Sequence, residues 1–327
     1  PLFAGIPGSA LAAAAGPGAM SIRMMEKSGY DKRYASALAA AVAVVDPIIP
    51  PSITMIIYAL QDQRVSVGGL FLAGVVPGLV ISAAMCVVNF YVSRKRSYRS
   101  LDIRPSLKEM VANTLYAVPA LALIVIVVGG IRFGWFTPTE ASVIAVFYAL
   151  FCGMFIYRSL KVKDLPEIIF RSAMVTVGIL LILASARAFA WVLIIEGVPQ
   201  FLADTIIGWN LSPIVFLLAV NVLLLIFGMF MDPLPGVMIL VPILAPIAFQ
   251  LGVDPIQFAM IVILNLTVGL ITPPVGALLF VVSSVVKIKV SEITREISPF
   301  LIAYVVVLLL VTFVPALSTW LPRLAGF

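Results

Sequence analysis

The sequence contains no histidine, only two cysteines and few charged residues. Without histidine, imidazole catalysis, histidine metal sites and histidine proton relays are excluded. Both cysteines, Cys86 and Cys152, lie within apolar runs, which indicates small buried side chains instead of a disulfide or a metal pair. Charged residues make up 11% of the chain, whereas soluble domains carry about 25%. This scarcity of charge excludes a soluble globular fold.

What the chain has in abundance is apolar sequence, with 62% hydrophobic residues and a mean hydropathy of +1.17. A helix needs about 20 apolar residues to cross a hydrocarbon core about 30 Å thick. Two segments, 1–20 and 212–249, are too irregular for simple spans. The sequence therefore predicts an all-α polytopic membrane protein with spans at 36–60, 68–93, 110–131, 140–157, 168–195, 256–286 and 298–321.

The basic residues predict how the chain is oriented, because lysine and arginine concentrate in cytoplasmic loops. Seventeen of the 21 basic residues lie in four loops, at 21–34, 94–108, 158–171 and 287–297. The alternation of sides is kept only if 212–249 is a re-entrant helical hairpin with its tip near Gly228–Gly236. The net charge of +6 follows from this asymmetry and predicts a lipid bilayer, not a nucleic acid, as the partner.

An internal repeat relates the two halves of the chain. The double proline of "IIPPSITMIIYA" recurs 223 residues later in "ITPPVGALLFVV". The same offset relates Ser9 of "GIPGSA" to Asp232, and Asp46 to Gly269. Each half then has a broken hairpin followed by a broken helix, and the loop charges indicate that the hairpins open to opposite sides. This is the inverted repeat of secondary transporters, which bind substrate and ions at midplane. The alternative is that these breaks are packing kinks.

The breaks predict ion sites, because freed carbonyls suit a hard cation and half-helix N-termini suit an anion. The first site faces the tip at Gly5 to Ser9, and the second pairs with the tip around Asp232. The predicted Na⁺ ligands are Gly5, Pro7, Ser9, Asp46, Ile48, Pro51, Gly269, Thr272 and Pro274. The predicted substrate-binding residues are Ser9, Ser52, Asp232, Asn265 and Thr267.

Some of these residues have a second interpretation. Asp232 could instead cap the helix that starts at Pro233, and Asp46 could cap a half-helix that starts at Pro47. The polar groups of Asn265 and Thr267 could form hydrogen bonds between helices instead of contacting substrate.

Six segments together resemble the large membrane subunit of tripartite ATP-independent periplasmic (TRAP) transporters, the DctM-like or SiaM-like M subunit. They are "GIPGSA", "SGYDKRYASALAAA", "DPIIPPSITMIIYA", "GWFTPTEASVIAVFYAL", "GMFMDPLPGVMILVPILAPIA" and "GLITPPVGALLFV", which cover nearly the whole chain in order. The chain departs from the family pattern at the first site. Pro7 stands where members usually have serine, Asp46 where they have glycine, and Ala13 where many have aspartate.

The resemblance implies a Na⁺-coupled secondary transporter in the bacterial inner membrane, with two or more Na⁺ ions. Its substrate would be an organic acid, such as a C4-dicarboxylate, sialic acid or a 2-oxo acid, carried by an elevator motion. It also implies two protein partners, a small four-helix membrane subunit (Q-type) and a periplasmic substrate-binding protein (P-type). Selectivity is implied to rest largely in the binding protein.

The predicted organisation divides the chain by role. Residues 1–60 form the first-repeat core, 61–211 the scaffold and connecting helices, 212–286 the second-repeat core and 287–327 a C-terminal helix. Because the chain begins at Pro1 inside a motif, we expect further spans and the first arm of the first hairpin outside this numbering.

Rival functions come from other classes. An intramembrane enzyme would need a nucleophile with a base, which is not evident in the sequence. A passive channel would need a continuous polar pore. A stand-alone Na⁺/carboxylate symporter of similar elevator fold is the main alternative.

Overall fold

The computed structural model describes residues 8–98, 106–208 and 212–327, and in these ranges the chain is helical without β-strands. The prediction of an all-α protein is therefore confirmed. The helices are α1 (Ala10–Ala13), α2 (Ala19–Lys27), α3 (Lys32–Ala43), α4 (Ile53–Gln61), α5 (Val67–Lys95), α6 (Leu107–Arg132), α7 (Pro138–Phe151), α8 (Leu165–Ile195), α9 (Val198–Gly208), α10 (Pro213–Phe230), α11 (Pro233–Gln250), α12 (Pro255–Gly269), α13 (Ala277–Val286), α14 (Val290–Phe313) and α15 (Ala316–Leu324). Two π-helical turns, Ala14–Gly18 and Cys152–Ile156, continue α1 into α2 and extend α7.

Seven segments of the described chain are long and apolar enough to cross a membrane. They are Val67–Lys95, Thr114–Arg132, Pro138–Ile156, Val162–Ile195, Pro213–Phe230, Pro233–Gln250 and Val290–Phe313. The predicted spans 68–93, 110–131, 140–157 and 168–195 each coincide with one of them. The chain is a multi-pass membrane protein.

The predicted C-terminal span, 298–321, has the wrong boundaries. α14 begins eight residues earlier, at Val290, and ends at Phe313, before the separate helix α15. Its first turns are amphipathic, with Ile293 and Ile297 buried, so a search for continuous apolar sequence misses them. It ends where it does because Pro315 disfavours helical backbone at Val314.

The two segments with double prolines are interrupted helices, as predicted. α3 and α4 are separated by residues 44–52, and α12 and α13 by residues 270–276. Both Pro–Pro peptide bonds are cis. The segment 212–249 forms two antiparallel helices, α10 and α11, joined by only Met231 and Asp232. The hairpin tip thus lies where the sequence predicted it, and its re-entrance into the membrane stays a prediction.

The chain divides into two compact units, Pro1–Ser100 with Ala186–Phe327, and Leu101–Ser185. In the larger unit α12 is the centre of the core, buried at every residue from Gln257 to Gly269 and packed against α10, α11 and α14. In the smaller unit α6 packs along α7, and the Tyr148 hydroxyl donates to the Pro119 carbonyl at 2.8 Å. These two compact units do not test the predicted division into a first-repeat core, a scaffold, a second-repeat core and a C-terminal helix.

The internal repeat extends from the motifs to the helix boundaries. The helical segment that starts at Ala10 and ends at Lys27 matches α11, and the starts of α3 and α5 match those of α12 and α14. Each pair lies 223 residues apart: Ala10 and Pro233, Lys27 and Gln250, Lys32 and Pro255, Val67 and Val290. The pairs share interactions as well as boundaries, because Asp31 and Asp254 each cap the following helix.

A hydrogen bond between the broken helix and the long helix that follows it is also repeated. In the first half, the Tyr34 hydroxyl on α3 donates to Oδ1 of Asn89 on α5 at 2.9 Å. In the second half, Nε2 of Gln257 on α12 donates to the carbonyl of Thr312 on α14 at 2.8 Å. Residues 34 and 257, like residues 89 and 312, lie 223 apart. The two halves therefore pack their helices in the same way.

The matched helices run in opposite directions. Arg96, at the end of α5, lies 2.7 Å from Glu296 in the first turns of α14, so α5 and α14 are antiparallel. The start of α3 is also beside the start of α14, through Arg33 and Glu292 at 3.1 Å. The start of α12, in contrast, lies at the far end of α14, where Gln257 donates to Thr312. Residues of three loops predicted to be cytoplasmic thus meet at the same end of α14. These loops are 21–34, 94–108 and 287–297.

Candidate functional site

The tip of the second hairpin is packed directly onto the second helix break. A Cβ added at Gly228 would lie 2.9 Å from the Leu266 carbonyl oxygen and 3.1 Å from Cα of Gly269. This close approach of two backbones requires glycine. The Gly276 N–H, at the end of the break, donates to the Met229 carbonyl at 3.2 Å. The hairpin tip and the break therefore form one structure.

The tip of the first hairpin meets the first break in the matching place. The Ile53 N–H donates to the Gly8 carbonyl over 3.5 Å, and Ile53 is the residue that matches Gly276. Gly8 has a φ of +67°, and a Cβ there would lie 3.2 Å from the Pro51 carbonyl oxygen. The predicted ligands Gly5 and Pro7 lie outside the described residues. Gly8, beside Ser9, therefore lies against Pro51 and Ile53, and the cation-binding roles of Ser9 and Pro51 stay predictions.

Two of the predicted groups at the first break are already engaged. The Ser52 hydroxyl donates to the Pro47 carbonyl at 2.6 Å and accepts from the Met55 N–H at 3.2 Å, and thus caps α4. The Ile48 carbonyl is directed against α5, since a Cβ added at Gly74 would collide with its oxygen. The predicted roles of Ser52 in substrate binding and of Ile48 in cation binding therefore require these contacts to be shared or exchanged.

Asp46 is a fully buried carboxylate, with 0% of its surface exposed. Neither of its oxygens has a hydrogen-bond partner among the described residues. The Ser9 backbone N–H faces it without reaching the geometry of a full hydrogen bond. The interpretation of Asp46 as a cap is wrong, because no helix begins at Pro47. α4 begins at Ile53 and is capped by a different side chain.

At the second break, the three predicted cation ligands differ in exposure. Gly269 is buried against the backbone of Gly228. Thr272 is half-buried, and its hydroxyl donates to the Val268 carbonyl at 2.8 Å, while Pro274 is exposed. The break therefore offers backbone oxygens and one hydroxyl, and its backbone at Gly269 lies against the hairpin.

Asp232 lies at this tip and caps α11. Its Oδ1 accepts from the Leu234 N–H at 3.0 Å, with Pro233 as the first residue of the helix. The capping interpretation is confirmed as geometry. A role in substrate binding stays a prediction, because the second carboxylate oxygen takes no part in the cap.

Asn265 and Thr267 are fully buried in the core, and the described structure pairs both with helical partners. Nδ2 of Asn265 donates to Oδ1 of Asn221 at 2.6 Å, and Nδ2 of Asn221 donates to the Thr312 hydroxyl at 3.0 Å. The Thr267 hydroxyl donates to the Ile263 carbonyl of its own helix at 2.8 Å. Asn265 thus forms the hydrogen bond between helices that the sequence offered as an alternative, and its buried Oδ1 has no partner among the described residues.

Sequence reasoning missed the polar residues that join these helices. Asn221 is a lone amide in the apolar run "FLLAVNVLLLIF", which is itself a signal, because amides at such depth form interhelical hydrogen bonds. Two further donors were missed on α4, where the Tyr58 hydroxyl and Nε2 of Gln61 are buried and find no partner in the described part of the chain. Such groups mark polar places in the apolar core.

The chemistry available at the two breaks is that of oxygen ligands. Within the described ranges there is no group of three or more acidic, cysteine or histidine side chains that could hold a metal ion. A cation bound here depends on backbone carbonyls, hydroxyls and at most one carboxylate per half. These donors fit a hard monovalent cation better than a transition metal.

Comparison with known proteins identifies the family. The sequence profile of the tripartite ATP-independent periplasmic transporter DctM component matches residues 1–317. The chain is 41% identical, over 99% of its length and 76% of the relative, to the C4-dicarboxylate TRAP transporter large permease protein DctM of Pseudomonas aeruginosa. It is 38% identical, over 99% of its length and 75% of the relative, to the sialic acid TRAP transporter large permease protein SiaM of Vibrio cholerae.

A third relative has a different extent. The isethionate TRAP transporter permease protein DctMQ of Oleidesulfovibrio alaskensis is 37% identical over 96% of the chain, which spans 49% of that protein. The matches cover both hairpins, both broken helices and the helices that follow them. The chain is a member of the DctM family, the large permease component of TRAP transporters.

Proposed function

We propose that the chain is the translocation subunit of a Na⁺-coupled secondary transporter that takes up an organic acid delivered by a binding protein. The observation that carries this proposal is the pair of matched hairpin tips and helix breaks, related by 223 residues and running in opposite directions. Irregular backbone at membrane depth occurs where it lines a cavity or is buried in protein. In inverted repeats such places hold substrate and coupling ions.

The coupling ion proposed is Na⁺, with one ion at each break. The Pro51 carbonyl oxygen at the first break and the backbone of Gly269 at the second lie against the hairpins, and Thr272 adds a hydroxyl within the second break. The absence of histidine removes the commonest relay for a proton-driven mechanism. Two matched sites give two or more Na⁺ ions per cycle.

The motion proposed is an elevator, in which the hairpins and broken helices move as one body. Support comes from the packing of each tip onto its own break, through Gly228 and Gly269 in one half and Gly8 and Ile53 in the other. These contacts join the parts that would have to move together. In this proposal α10 and α11 re-enter the membrane on the non-cytoplasmic side, and the basic loops lie in the bacterial cytoplasm.

The substrate proposed is a small anionic organic acid, such as a C4-dicarboxylate, a sialic acid or a 2-oxo acid. Two of the relatives named above are described as transporters of C4-dicarboxylate and of sialic acid. The partners proposed are a small membrane subunit and a soluble periplasmic binding protein. A helix N-terminus at a hairpin tip, such as that of α11, would favour the carboxylate of the substrate.

Reconstitution of the assembled transporter in proteoliposomes tests the proposal. Uptake of the acid carried by its binding protein should require both that protein and Na⁺, and should collapse when choline replaces Na⁺ at fixed pH. Uptake that survives choline and follows a proton gradient would reject Na⁺ coupling. Na⁺-dependent uptake without any binding protein would favour the stand-alone symporter.

A further inference from the structure

Each half has one acidic side chain at its hairpin tip or helix break, and the two halves carry it at different positions. In the second half the acid is Asp232, on the hairpin tip, where it caps α11. The matching residue in the first half is Ser9, which begins α1 without a side-chain cap. The first half has its acid on the helix break instead, at Asp46, and the residue that matches Asp46 is Gly269.

The second half has no room for an acid on its break. A Cβ added at Gly269 would collide with the backbone of Gly228, which belongs to the hairpin. Any side chain there would separate the tip from the break. In the second half, the position that matches Asp46 therefore cannot carry an acid, and the acid lies on the tip.

In the first half the break accommodates the acid beside the tip. Asp46 lies against the Ser9 backbone N–H, which is the start of the helical segment that matches α11. The Asp46 carboxylate thus reaches, from the break, the same helix start that Asp232 occupies directly. A single carboxylate is in this way present at the start of the second arm of each hairpin.

The surroundings of Asp46 leave its charge unbalanced. Both of its oxygens are buried, neither accepts a full hydrogen bond from the described residues, and no charged side chain among them acts on it. Burying an unpaired carboxylate is strongly unfavourable. A bound cation would remove this penalty and would use the two free oxygens as ligands.

We propose that Asp46 is the counterpart of Asp232 for the first hairpin, so that each tip presents one carboxylate to its own Na⁺, from the break in one half and from the tip in the other. The proposal rests on the Na⁺ coupling proposed above. It makes the acid of the first half interchangeable between positions 46 and 9, because both lie at the same helix start. It also makes this cation site more negative than a site built from carbonyls alone.

The test compares three variants in the assembled transporter: Asp46→Asn, Asp46→Gly, and Ser9→Asp combined with Asp46→Gly. Asp46→Asn keeps size and loses charge, and should raise the Na⁺ concentration for half-maximal uptake about tenfold or more, since ligand charge sets cation affinity. Asp46→Gly should do the same. Ser9→Asp/Asp46→Gly should return it to within about threefold of the original value.

The matched control is Asp62→Asn. Asp62 is the other buried acid of the first half, at the end of α4, where its Oδ1 accepts from the Arg64 N–H at 3.1 Å. This variant should leave the Na⁺ dependence unchanged. Thermal stabilisation of the purified protein by Na⁺ gives a second readout, because a ligand of the folded state raises the melting temperature. It remains measurable for a variant that does not transport.

Each outcome decides a different point. Uptake that is independent of Na⁺ in the unaltered transporter would remove the proposed function itself. Na⁺-dependent uptake with an unchanged half-maximal concentration in Asp46→Asn would overturn the role of Asp46 alone. A shift in Asp46→Gly that Ser9→Asp fails to reverse would overturn the equivalence of the two positions.

Discussion

The side-chain amide of Asn265 donates a 2.6 Å hydrogen bond to Oδ1 of Asn221, which joins α12 to α10 inside the buried core of the larger unit. Asn221 in turn donates to Thr312 on α14, so that three helices are connected through one amide. Replacing Asn221 with leucine would leave two buried polar groups without this partner. We therefore expect this network to stabilise the fold. A test of Asn265 as a substrate-binding residue must then measure protein stability together with uptake.

We expect Asn221→Ala and Asn265→Ala each to lower the stability of the purified protein. Interhelical hydrogen bonds in membrane proteins contribute about 0.6 to 2 kcal/mol. The double variant should be less destabilised than the sum of the single ones, by about 1 kcal/mol, because both remove the same bond. The measurement is unfolding in detergent, with Thr176→Val on the exposed face of α8 as the control. Loss of uptake by Asn265→Ala without loss of stability would instead indicate substrate contact.

Gly228→Ala and Gly269→Ala should each separate the second hairpin from its break. A new Cβ at either position meets the backbone of the other helix, which cannot move aside as a side chain could. We expect uptake to fall at least about tenfold and stability to fall by about 1–3 kcal/mol. Gly178→Ala is the control, because nothing lies within 4 Å of that position, and it should be neutral or stabilising. Normal uptake by Gly269→Ala would show that the tip does not need this contact.

Cysteines at Lys27 and Gln250 test the opposite orientation of the halves. Both residues are exposed, and they end matched helices 223 residues apart. With Cys86 and Cys152 replaced by alanine, we expect an impermeant maleimide to label Gln250→Cys in intact spheroplasts and Lys27→Cys only after lysis. Labelling of both from the same side would contradict the inverted repeat.

Asp232 is tested by separating its charge from its cap. Asp232→Asn should retain most of the cap on α11, since asparagine is as good an N-cap as aspartate. We expect it to purify normally and to lose uptake by about tenfold or more, because the cation site proposed at this tip would lose a charge. Asp31→Asn is the control, because the Asp31 carboxylate caps α3 in the same way, by accepting from the N–H two residues further along, that of Arg33. Near-normal uptake by Asp232→Asn would leave Asp232 with the cap alone.

The repeat was the part of the fold most accessible from sequence. The loop charges placed the second hairpin tip near Asp232, and the offset of 223 between the double prolines then related that tip to Ser9 and the first break at Asp46 to Gly269. The first turns of α14 were not found, because Glu292 and Glu296 make that stretch look like a loop until their partners on α3 and α5 are known. Amphipathic ends of spans are hidden from a search for apolar runs.

The site was less accessible than the fold. Whether Asn265 faces a cavity or a neighbouring helix depends on Asn221, 44 residues away in sequence. Whether Asp46 caps a helix depends on where α4 begins, and the three prolines around it allow several starts. The start of α4 is fixed by Ser52, whose hydroxyl accepts a hydrogen bond from the Met55 N–H and caps the helix.

The antiparallel arrangement of α5 and α14 has a consequence for the transport cycle. If two halves of similar shape and opposite direction exchange conformations, the resulting molecule opens to the other side of the membrane with the same kinds of contacts. Identical halves would give two open forms of equal energy. The halves differ at Asp46 and Gly269, so we expect the inward-open and outward-open forms to differ in energy, and we expect Na⁺ at the proposed first site to change that difference.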